Sequence, residues 1–115
     1  MAHRTQIMYI ECKGDGIVGP ARIGQVTFSK TGKSLYYGGH TFSTLNGYGF
    51  KANYVNDDTG EQYWISGCKK NGIDALYSTT VEIDEYVREE YWVVIRNKPE
   101  MKDLKSFRCA GKYST

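Results

Sequence analysis

From Ala21 to Asp84, short apolar and aromatic runs alternate with turn residues: ARIGQVTF, SKTGK, SLYY, GGHTFSTLNGYG, FKANYV, NDDTG and EQYWISG. Runs this short, bounded by Gly, Asn and Asp, read as β-strands joined by tight turns. A first strand is predicted over Gln6 to Glu11, followed by the loop KGDGIVGP, whose three glycines and proline exclude regular structure. Ala21–Phe28 and Ser34–Tyr37 then form a hairpin across SKTGK. Gly38-Gly39 breaks the strand, His40 to Leu45 resumes it, and Asn46-Gly47 carries a two-residue turn signal into FKANYV. NDDTG ends that run with Asx-capable side chains and a glycine, and Glu61 to Ser66 follows. Ile73–Tyr77 and Thr80–Ile83 read as two further short strands or one interrupted one.

The pattern changes at Asp84. Val87, Tyr91, Val94 and Ile95 recur at helical spacing, Asp84 is a competent N-cap, and Glu85, Glu89 and Glu90 suit the positive end of a helix dipole. Arg96 and Lys98 suit the other end, and Pro99 stops the segment. These signals predict an amphipathic helix over Asp84 to Asn97, in preference to a strand through Trp92 to Ile95. Met101 to Thr115 has only Leu104 and Phe107 as anchors and reads as a C-terminal extension, partly frayed, beyond a single β-rich domain at 1–100. The fold class is therefore mainly β: a small antiparallel bent sheet or an SH3-like partly open barrel, with one helix over an open end or face.

Length and composition fit this reading. A chain of 115 residues, 40% hydrophobic and with ten tyrosines, can bury one core built in part from amphipathic rings. It has no apolar run near the roughly 20 residues that cross a bilayer, and Met1 to Gln6 does not resemble a signal peptide, so a cytoplasmic protein is expected. Cys12, Cys68 and Cys109 are odd in number and dispersed, which suggests free thiols. The net charge of +2 is unevenly spread: residues 1–56 carry six Lys/Arg against two Asp/Glu, and 57–100 carry five against ten. Segments of opposite charge are expected to meet in the fold.

Few residues carry chemistry in a recognisable pattern. Gly14-Asp15-Gly16 matches the start of a thiamine-diphosphate signature, but the downstream asparagine pair is missing, and the three residues suit a turn equally well. No P-loop, GxSxG or HExxH is present, and Cys12, His40, Cys68 and Cys109 lack metal-ligand spacing, so no metal and no cofactor is expected. Asp57-Asp58 and Glu89-Glu90 are acidic pairs with structural reasons for their positions. Cys68 is followed by two lysines, which favour a thiolate, and His40 is the histidine that could serve it as base.

The phrases GPARIGQVTFSKTGKSLYY, KANY, TGEQYWISGCKKNGIDALY and VEIDEYVREEYW resemble a family of short bacterial proteins of unassigned function. Some of its members bear the name of 1-deoxy-D-xylulose-5-phosphate synthase, a thiamine enzyme several times longer. The resemblance covers about residues 8 to 100 and implies no active site; thiamine-dependent synthesis is not expected of a chain this short with so incomplete a motif.

Binding readings rest on rings and lysines. Tyr36-Tyr37 and Tyr63-Trp64 are adjacent pairs, so one member of each points away from a sheet's core, and the helix offers Tyr86 and Trp92 off its buried stripe. With Tyr54, Lys33, Lys51, Lys69 and Lys70, these form a candidate contact surface for a protein partner or a second copy of the chain. The same rings interleaved with Arg22, Lys30 and the lysines are also compatible with a nucleic-acid-binding barrel. A non-catalytic protein-interaction or regulatory module leads, nucleic-acid binding is the alternative, and an enzyme using Cys68 comes last. No membrane partner is expected.

Overall fold

The computed structural model describes residues 4–13, 20–45, 52–75 and 77–112. Eight strands are defined within them: β1 (Thr5–Cys12), β2 (Ala21–Phe28), β3 (Ser34–Tyr37), β4 (His40–Thr44), β5 (Tyr54–Asn56), β6 (Gln62–Gly67), β7 (Thr79–Ile83) and β8 (Ser106–Cys109). The sheet order is β1-β6-β5-β4-β3-β2-β7-β8, and β1 also pairs with β2. That last pairing, Thr5 opposite Thr27 through Glu11 opposite Ala21, closes β1 to β6 into a six-stranded antiparallel barrel, where the sequence had suggested a bent sheet or partly open barrel.

Local sequence explains the turns. Gly38 and Gly39 have φ of 59° and 82° and link Tyr37 to its partner His40; positive φ at both central residues is what a tight hairpin matching strand twist requires. The break read at these glycines is thus a two-residue turn, while Asn46-Gly47 lies outside the described residues. Asn56 Oδ1 accepts the backbone N–H of Asp58 at 2.8 Å and of Thr59 at 3.3 Å, and Gly60 takes φ of 80°, so NDDTG forms the Asx turn its composition favours.

Two cores result from alternation along the barrel strands. Met8, Ile10, Val26, Phe28, Leu35, Phe42 and Ile65 point inward and fill the barrel, with Tyr37, Tyr54 and Tyr63 against them. The residues between them point outward. Tyr9, Ala21 and Ile23, flanked by Ile7 and Trp64, form a second core with Val81, Ile83, Val87, Tyr91, Trp92 and Cys109. β1 is consequently buried on both faces, and its outward side includes a fully enclosed polar group: Glu11 accepts from Tyr9 Oη at 2.6 Å and from Lys13 Nζ at 3.0 Å. A buried carboxylate needs such partners.

The second core is roofed by a helical segment that differs from the expected helix. It begins as a 3-10 turn (Glu85–Val87), passes through one α turn (Arg88–Glu90) and widens into a π turn (Tyr91–Ile95). Arg96 N–H bonds Tyr91 C=O at 2.9 Å across that turn. The extra residue per turn shifts the buried stripe. Tyr91 and Trp92 are both turned inward, whereas Val94 is 70% exposed. Trp92, expected on the contact surface, is therefore 0% exposed, its indole N–H donating to Leu104 C=O at 3.1 Å. Asp84 does not cap the segment with its side chain, and of the two placements expected, an open end or a face, the segment takes the barrel's outer face.

β7 and β8 extend the sheet beyond the barrel. β7 runs parallel to β2, Ala21 to Ile23 facing Val81 to Ile83, an exception to the expected antiparallel pattern. Ile73–Tyr77 forms no strand among its described residues, so the two strands considered there reduce to one. The segment read as an extension supplies β8, paired to β7 from Ser106 to Cys109. Phe107 stacks on Tyr91 and meets Trp92 edge-on, while Arg96 lies over all three rings. Replacing Phe107 by alanine is expected to lower stability by about 2–4 kcal/mol, measured by urea unfolding followed through Trp fluorescence; a frayed tail would give a change within about 0.5 kcal/mol.

Candidate functional site at the open mouth of the barrel

The barrel is filled toward the start of β1 and hollow toward its end. A cavity of about 540 Å³ opens there, walled by Ile10, Pro20, Phe42 and Tyr63 and rimmed by Arg22, Tyr37, His40 and Asp84. Strand geometry creates it. One edge of β2 is shared: β3 pairs with Thr27 and Phe28, β7 with Ala21 to Ile23, and neither reaches Gly24 to Val26. The inward side of that stretch begins with Gly24, over which a Cβ would collide with the Tyr37 ring and the Asp84 carboxylate. The missing side chain lets these groups converge from β3 and from the end of β7.

Asp84 holds the convergence together. Its Oδ1 accepts from Arg22 Nε at 2.8 Å and Nη2 at 2.6 Å, and its Oδ2 accepts from Tyr37 Oη. Arg22 Nη1 reaches Glu82 Oε2 at 3.1 Å. The Asp84 bonds strengthen the Arg22 charge, and burial followed by the bond to Asp84 pushes the Tyr37 phenol above its ordinary range, so that phenol is a proton donor at neutral pH. Tyr63, edge-on to Phe42 at 4.8 Å, is pushed up to about 12, chiefly by burial. On the opposite rim the Asx turn presents Asp57 to Ser43 Oγ at 2.8 Å and Asp58 to His40 Nδ1 at 2.9 Å, and Glu61 accepts from Cys12 Sγ at 3.6 Å. The arrangement is a shaped apolar cavity with a hydrogen-bonded rim.

Other sequence candidates fall elsewhere. Cys68 follows the end of β6, where Gly67 faces Met8, and its thiol lies 3.8 Å from Ile7 C=O. His40 sits at the mouth, so the strands place the two at opposite ends of the barrel. Burial pushes the Cys68 thiol well above its ordinary range, and the Asp74 charge adds to this. Tyr36 is exposed on the barrel's outer face, whereas Tyr54 is half-buried against the inner core and Trp64 half-buried against the outer one, its indole bonded to Ser66 Oγ at 3.1 Å. Lys33, Lys69 and Lys70 are exposed; Lys51 lies outside the described residues. Tyr86, 86% exposed, borders the cavity. Among the described residues no three His, Cys, Asp or Glu side chains gather as metal ligands, and no helix is long and apolar enough to cross a membrane.

The register also sorts charge. The β2–β3 turn with Lys30 and Lys33, Arg4 before β1, and Lys69 and Lys70 after β6 lie at the filled end; Glu90 is on the flank nearby, in a groove with Gln6 and Gly67. Asp57, Asp58, Glu61, Glu82 and Asp84 lie at the mouth. Sequence reading missed the mouth because Arg22 and Asp84 are 62 residues apart and Asp84 had a ready local role as an N-cap. The one local hint was Gly24 within an otherwise well-formed strand pattern.

No protein-family model, curated protein or solved structure matches this chain.

Two outcomes check the site's construction. Gly24→Ala should displace Tyr37 and Asp84 and cost about 1–3 kcal/mol, read by thermal and urea unfolding together with loss of the Tyr37 and Asp84 amide resonances from their native positions. In the native protein at pH 8, Cys68 should be alkylated by iodoacetamide more slowly than free cysteine, as followed by peptide mass mapping; equal or faster reaction would contradict the buried protonated thiol.

Proposed function

We propose that this protein is a non-catalytic recognition module on a small barrel of the SH3-like size class, a protein-interaction or regulatory domain whose binding element is the barrel mouth. One observation carries the reading: a cavity of about 540 Å³, within the range of roughly 300–1,000 Å³ common for binding pockets, is lined by apolar and aromatic side chains and bordered by converging polar groups. Asp84, Arg22 and Tyr37 restrain one another, so the rim is preorganised and little side-chain freedom is lost on binding. Tyr86, at the outer edge of the cavity lining, is an exposed ring able to extend a contact area. The reactive-thiol alternative loses support from the partial burial of Cys68, which pushes its thiol up, and from its separation from His40 along the strands.

Capture from native cell lysate, with the bound protein identified and then purified, tests this. Tyr37→Ala should reduce retention of that partner at least about tenfold, while Trp64→Ala, an outer-face change, should leave it within about twofold in variants verified as folded. Turnover of a metabolite in the absence of any partner would contradict the proposal.

Nucleic-acid binding has one observation in its favour, the gathering of Arg4, Lys30, Lys33, Lys69 and Lys70 at the filled end. Against it, the rings expected to stack bases are divided among both cores and the outer surface. Labelled single-stranded DNA and RNA at low and moderate salt decide the matter: salt-sensitive micromolar binding would favour this reading over the mouth.

A further inference from the structure

We infer that the mouth takes the cationic side chain of a lysine or arginine carried by a partner polypeptide. The inference rests on the recognition-module reading above and adds the chemistry of what enters. Four aromatic side chains border the cavity, Tyr37, Phe42, Tyr63 and Tyr86, and ring faces attract cations. The apolar wall formed by Ile10 and Pro20 suits the methylene stem of such a side chain.

Charge decides against an anion. Arg22 is the permanent cation among the described residues lining the cavity, and it is already met by two carboxylates, Asp84 and Glu82. Asp58 occupies His40, and Glu61 faces Cys12. An anionic group entering here would have to displace Asp84 from a guanidinium it contacts through two nitrogens, stranding that carboxylate beside Tyr37. A cation meets Arg22, but Asp84 and Glu82 offset that charge, and Asp57, Asp58 and Glu61 on the other side of the mouth leave its described residues with an excess of carboxylates.

The features that favour a polypeptide over a free amine lie around the cavity's outer edge. Exposed Tyr86 is the outermost of the lining rings, and the half-exposed carboxylates of Glu82 and Asp58 stand beyond the lining, where residues flanking an inserted side chain would meet them.

Backbone amide NMR titration of the full chain tests this with a blocked alanine pentapeptide bearing one central lysine, its arginine, norleucine and glutamate counterparts, and free agmatine. The lysine or arginine peptide should bind saturably with shifts centred on Tyr37 to His40, Tyr63 and Asp84, at least about tenfold more tightly than the norleucine peptide. Glu82→Gln and Asp58→Asn, both at exposed carboxylates, should each weaken that binding about two- to fivefold without altering the fold. Preference for norleucine or glutamate at the mouth overturns the charge assignment while leaving the cavity as the binding element. Agmatine binding as tightly as the peptides overturns the polypeptide assignment, and the absence of any shift at the mouth with every probe overturns both this inference and the reading beneath it.

Discussion

The structure depends on β1 being paired on both edges and buried on both faces. Its hydrogen bonds to β2 and β6 close the barrel, its inward residues Met8 and Ile10 fill it, and its outward residues Ile7 and Tyr9 found the second core. From Met8 to Glu11 this strand has neither a free edge nor a solvated face, so it cannot shift register without exposing one core or the other. The same constraint explains Glu11, fully enclosed on a strand whose outer face is covered by the helical segment, and the need for Tyr9 and Lys13 to satisfy it. Removing either partner of such a buried pair leaves a charge or acceptor uncompensated, so Glu11, Lys13 and Tyr9 are retained as a unit.

Where closure is least complete, the molecule acquires its candidate site. β2 cannot pair along its whole second edge, because β3 leaves it and β7 joins it running the other way. The gap is bridged by side chains, with Asp84 linking Arg22 and Tyr37 above Gly24. A hydrogen-bonded rim is a stiffer border for a cavity than loops would be, which matters for recognition because preorganised groups lose less freedom on binding. The unequal charge along the chain becomes, in three dimensions, two ends: acidic at the mouth and basic at the filled end. Among the described residues lining the mouth, Arg22 is the cation, and it sits there as the ion-pair partner of Glu82 and Asp84.

Much of the secondary structure was legible. β2 and β3 have the bounds predicted for them, and NDDTG turns as its Asn and Gly require, because strand alternation and turn conformation are decided by residues a few positions apart. The helical segment was legible in position but not in face: a π turn cannot be recognised from apolar spacing that fits an α-helix, so Trp92 was assigned outward and Val94 inward. β8 was missed because Phe107 alone carries little periodic signal; its place follows from the rings of Tyr91 and Trp92, which the chain brings there by folding. Of the candidate site, Tyr37 and His40 were already under consideration, but Arg22 with Asp84 was not, since nothing local marks two residues that meet across the barrel.

By itself, then, the sequence determined a predominantly β chain, the bounds of its best strands, the chemistry of its turns and one helical segment, all matters of backbone preference settled over short distances. The tertiary structure alone decided that the sheet closes, that both faces of β1 are buried, that the rings divide between two cores and a mouth, and that Asp84 serves Arg22 and Tyr37 instead of a helix end. These outcomes depend on which surfaces remain after every strand has found its partners, and that is a property of the whole chain.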